Sequence, residues 1–77
     1  MRIVDAANVT APAYLAILSK GYAVRNGGGL MIAERDGNWF AAEGPVALLG
    51  LIAMAEIRGE AWHASDEEIG EYLAGSG

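Results

Sequence analysis

The chain has 77 residues, 53% hydrophobic and 19% charged, with no cysteine and a formal net charge of −5. A chain of this size makes one domain, residues 1–77, that buries only about 60–65% of its unfolded surface, and its apolar composition excludes intrinsic disorder. Without cysteine there is no disulfide framework and no thiolate chemistry; since small secreted domains usually carry such staples, a reducing, cytoplasmic compartment is expected.

Met1 to Asp5 is too short and too charged for the apolar region of a signal peptide. The longest uncharged apolar run, 45–55, falls well short of the about 20 residues that cross a bilayer core, so no membrane contact is expected. Ile3 and Val4 fit either a short edge strand or an extended arm over residues 1–9. Thr10 is a good N-cap, Pro12 suits a first helical turn, and Tyr14, Ile17 and Leu18 form a stripe at helical spacing. Gly21 then stops a helix over about 11–20, with Tyr22 packing behind it.

Residues 22–25 read as a short strand, 26–29 (Asn-Gly-Gly-Gly) as a turn or loop, 30–35 as a second strand and 38–43 as a third. Asp36-Gly37 between the last two is the strongest local signal, because both residues tolerate the positive φ of a type I′ turn. Pro45 opens an apolar helix to Ile57 or Arg58, expected to be buried nearly all round, with Gly50 marking a close helix contact. Ser65 and Glu68 form a capping box for a third helix, about 66–74, with an apolar stripe at Ile69, Tyr72 and Leu73, a stop at Gly75 and a frayed tail over 75–77. The expected fold is a two-layer α+β domain: helix, three-stranded antiparallel meander, then two helices (αβββαα).

A two-residue turn at Asp36-Gly37 pairs Arg35 with Asn38, Glu34 with Trp39, and so on to Leu30 with Glu43. Alternation then places Met31, Ala33, Phe40 and Ala42 on one sheet face and Leu30, Ile32, Trp39 and Ala41 on the other, edged by Glu34 and Glu43. The first face is the expected core. The second is either covered by helix 3 or the N-terminal arm, or is a partner or dimer interface anchored on Trp39.

No catalytic constellation stands out. His63 lies before the third helix, so Asp66 and Glu67 do not share a face with it, and a metal centre lacks its ligand set. Ser19 and Lys20 point about 100° apart on a helix and form no dyad. The glycines at 27–29 join two strands, unlike a phosphate loop between strand and helix. No cofactor is expected.

Charge is what remains. Residues 1–55 carry four basic and four acidic side chains, whereas 56–77 carry six acidic ones against Arg58 alone. Direct nucleic-acid binding is therefore not expected, since that affinity comes from Lys and Arg. The expected function is a non-enzymatic protein-binding domain, an inhibitor or regulator that docks on a larger protein or complex. It could present an acidic surface that mimics nucleic acid, in the manner of small anti-CRISPR and immunity proteins, an analogy of size and charge alone. The expected contact residues are Leu30, Ile32, Glu34, Trp39 and Glu43 on the sheet and Glu67, Glu68 and Glu71 on the third helix. The alternatives are a small enzyme or ligand-binding subunit that uses His63 at an oligomer interface, and a structural accessory subunit. A homodimer fits the apolar outer face as well.

Overall fold

Two tight turns set the architecture. In the computed structural model, which describes residues 1–76, Asp36 and Gly37 have φ of 51° and 81°, and Gly28 and Gly29 have φ of 60° and 81°. These are the left-handed pairs that let a two-residue connection follow the natural twist of a hairpin. They join β1 (Ala23–Gly27), β2 (Leu30–Arg35) and β3 (Asn38–Ala42) into an antiparallel sheet of order β1-β2-β3. The β2–β3 register is the one the turn predicts, from Arg35 opposite Asn38 to Met31 opposite Ala42. The first hairpin is tighter than expected: Asn26 and Gly27 belong to β1, opposite Met31 and Leu30, and only Gly28-Gly29 turns.

Three helices complete the αβββαα order: α1 (Thr10–Ser19), α2 (Pro45–Arg58) and α3 (Asp66–Ser76), with short 3-10 turns at Ala7–Val9 and Gly59–Ala61. Helices α1 and α2 pack on each other, and α2 packs on β2 and β3. The core is Ile17, Tyr22, Ala33, Leu48 and Ile52, flanked by the half-buried Val24, Met31, Phe40, Ala42 and Leu49. This confirms the Met31/Phe40 face as the inner one. Tyr22 meets Phe40 edge-on at 6.0 Å between centroids, and the Arg35 guanidinium lies 6.0 Å from the Tyr22 ring.

Several local expectations change. Thr10 is already helical, because the 3-10 turn runs straight into α1; Val9 takes the N-cap position, with no side-chain cap. Residues 1–8 are exposed and form no strand. Only Ile17 of the α1 stripe is buried, while Tyr14 and Leu18 are exposed. Helix α2 buries one side, through Leu48 and Ile52, whereas Ile57 is 83% exposed. Gly50 marks no close contact: a Cβ there would meet nothing within 4 Å. Gly75 does not stop α3, which runs on to Ser76; Gly77 lies outside the described residues.

The capping box forms as expected. Glu68 N–H donates to Ser65 Oγ at 3.2 Å and Ser65 N–H donates to Glu68 Oε1 at 2.9 Å. Residues 66–75 are nevertheless exposed throughout, including Ile69, Tyr72 and Leu73. The molecule is correspondingly open. Its accessible surface is 5824 Å², against about 4,450 Å² for a compact monomer of 8.0 kDa. Its radius of gyration is 14.3 Å, against about 11.5 Å for a compact chain of this length.

Candidate docking groove

The site grows from the edge of β3. Residues that close a two-residue hairpin form a hydrogen-bonded pair, and bonded and non-bonded pairs then alternate. Asn38, Phe40 and Ala42 therefore turn their main-chain groups toward β2. Trp39 and Ala41 turn theirs outward, and β3 is an edge strand with no neighbour on that side among the described residues. The exposed backbone is thus flanked by a tryptophan and a small residue.

Beside this edge lies an open groove with two ends. The apolar end, about 280 Å³, is lined by Ala41, Leu51 and Met54. The polar end, about 480 Å³, is lined by Tyr22, Asn38, Glu56 and Glu60. Trp39, Phe40, Ala55 and Trp62 border both. Trp39 is 56% exposed and Trp62 43%, so both rings keep a face open.

Trp62 owes its position to Arg58. Gly59, at φ 68°, ends α2, and the chain turns through a 3-10 segment. Arg58 reaches over that segment, donating from Nε to the Trp62 carbonyl at 3.0 Å and from Nη2 to the His63 carbonyl at 3.4 Å. The same guanidinium lies 3.3 Å from Glu68 Oε1. One arginine thus ties the end of α2, the connecting segment and the start of α3 together. The Ser65 amide, and after it Arg58, hold the Glu68 carboxyl below the usual glutamate range. His63 stacks on the Trp62 ring at 3.7 Å and 26°.

The expected contact residues do not form one continuous exposed surface. Ile32 is only 8% exposed. It sits at the centre of the outer sheet face, opposite Arg25 on β1 and Ala41 on β3, close enough to Gly27 that a Cβ there would lie 3.3 Å from it. It is a packing residue, not an accessible anchor. Glu34 is drawn across the same face to Arg25, Nη2 to Oε1 at 2.6 Å. Leu30 is exposed at the far end of β2, and Glu43 is exposed just beyond β3. Glu67 and Glu71 are exposed on α3 and have no ion pair among the described residues, whereas Glu68 is committed to the cap and to Arg58. Trp39 alone combines exposure with a shaped neighbourhood.

The covering of the outer face by α3 or the N-terminal arm is not what the structure has, since Trp39 is open and residues 66–75 and 1–8 are exposed. Trp62 is a wall of the groove that the sequence pattern does not reveal. No periodic pattern marks residues 59–64; Arg58 bonds to the Trp62 and His63 carbonyls there.

The groove's lining offers two carboxylates and aromatic faces. Glu56 is paired with Lys20 at 2.8 Å, whereas Glu60 has no ion pair among the described residues. Among the described residues, no three metal-ligating side chains cluster, and no helix is long and apolar enough to cross a membrane. Comparison with protein-family models, with curated proteins and with solved structures finds no match to this chain.

Proposed function

We propose that this chain is a protein-docking domain, an inhibitor or regulator that acts by seating part of a larger protein or complex against the β3 edge and its Trp39–Trp62 groove. The observation that carries this reading is surface that the chain does not bury on itself. The excess over a compact monomer is about 1,400 Å², more than the about 800 Å² per partner of a standard interface. The exposed tryptophans lie in a hollow, where an anchor from a partner can be desolvated.

The acidic segment contributes to association. Glu60, Asp66, Glu67 and Glu71 carry no ion pair among the described residues, so their field acts on an approaching basic surface and speeds encounter. A nucleic-acid-mimicking action would use these same carboxylates. A second copy of the chain is the alternative occupant, favoured by the same excess of surface.

The test is capture of partner proteins on the immobilised domain, comparing wild type with Trp39→Ser and with the double variant Glu67→Lys, Glu71→Lys. The groove reading expects a partner that wild type retains and Trp39→Ser loses. It expects the charge variant to slow association and flatten its salt dependence. A partner held equally by Trp39→Ser removes the groove from the account. Sedimentation at rising concentration separates self-association from binding of another protein.

A further inference from the structure

We infer that the groove accepts an extended segment carrying a basic side chain, laid along β3 as a fourth strand. This inference rests on the docking reading above and names the chemistry of its partner. Three independent observations converge on it.

The first is the backbone. Trp39 and Ala41 present outward N–H and C=O groups at the open edge, spaced as an added strand requires. Edge strands usually blunt such a template with charge or proline. Residues 38–42 of β3 contain neither. Strand addition takes affinity from main-chain bonds and specificity from pockets for alternate side chains.

The second is the division of the groove. A strand places same-face side chains about 6–7 Å apart. Such a segment sends one side chain to the apolar end, at Leu51 and Met54, and its next same-face neighbour to the polar end, at Glu56 and Glu60. The matching pattern is an aliphatic residue, any residue, then a basic one.

The third is charge together with aromatic faces. The polar end has Glu60 without a counter-ion among the described residues, and Trp39 and Trp62 at its border. A guanidinium there can stack on an indole face and reach a carboxylate at once, which an acidic or neutral side chain cannot do. Lys20 already takes Glu56, Arg25, Arg35 and Arg58 are engaged by Glu34, Asp36 and Glu68, and Arg2 lines a separate hollow with Val4 and Pro12, so Glu60 is the carboxylate left for an incoming cation.

The test uses a synthetic, end-capped heptapeptide alternating threonine with valine, arginine and valine, titrated into the full chain while tryptophan fluorescence is followed. Saturable binding is expected. It should weaken by about tenfold or more when arginine is replaced by glutamate, and weaken with added salt. Two N-methylated versions, each methylated on one alternate set of residues, test the strand geometry. Only one set of amides can face β3, so one version should bind like the parent and the other should not. Trp39→Ala should abolish binding, with the far-UV spectrum confirming an intact fold. Equal binding of the arginine and glutamate peptides, equal binding of both methylated versions, or no binding of any peptide overturns the inference. If no peptide binds while a captured protein still depends on Trp39, docking stands and strand addition falls. If capture is also indifferent to Trp39, both fall.

Discussion

Helices α2 and α3 both carry apolar stripes, yet they are held by opposite means. Helix α2 begins at Pro45 with no side-chain cap, and it is fixed by Leu48 and Ile52, which are completely buried against α1 and the sheet. Helix α3 has a full capping box, three acidic residues in its first turn and an ion pair to Arg58, while Ile69, Tyr72 and Leu73 stay exposed. Burial maintains the first and end chemistry maintains the second. A stripe that its own chain leaves exposed therefore indicates spare surface, not core.

The sharpest way to break this contrast is to remove buried volume from α2. Leu48→Ala should cost about 2–5 kcal/mol, read by urea unfolding. In a domain of this size that approaches the whole stability. Removing the cap is the next test. Ser65→Ala should cost about 0.5–2 kcal/mol of local helix stability. It should appear as lost helical signal, with the amide resonances of β2 unchanged.

Gly50→Ala should have the reverse sign. Gly50 lies in the middle of α2 with space where a Cβ would go, so alanine should stabilise the domain by about 0.5–1 kcal/mol in the same urea assay. Tyr72→Ala should change global stability by less than about 0.5 kcal/mol, since Tyr72 is 71% exposed. A loss as large as that of Leu48→Ala would mean that α3 packs in solution after all. Acid should separate the two helices as well. The folded state holds Glu68 below the usual glutamate range, so it favours the charged carboxylate. That contribution is complete above the unfolded value and disappears as pH falls through the folded one. Helical signal from α3 should therefore fade on acidification before the amide resonances of β2, in the core sheet, change.

The legible parts of the sequence were those where one residue type permits one geometry. Asp36-Gly37 demands a left-handed turn, so it set the β2–β3 register and, by alternation, both sheet faces. Ser65 and Glu68 specify a capping box through their spacing alone. Three consecutive glycines at 27–29 permit almost any turn, so the first hairpin had no readable register until Gly28-Gly29 was seen to close it. The groove was half legible. Trp39 followed from strand alternation, but Trp62 is positioned by Arg58 bonding to main-chain carbonyls, which side-chain patterning does not encode. Ile32 was placed on the correct face. Its burial comes from sitting on the central strand between Arg25 and Ala41, a crowding that periodicity does not reveal.

Hydrogen exchange along β3 in the free protein tests the account most directly. The open edge predicts fast exchange at the Trp39 and Ala41 amides and strong protection at Phe40 and Ala42, which bond to β2. Protection of Trp39 and Ala41 equal to that of Phe40 would mean that the edge is already occupied, leaving no place there for another chain to dock.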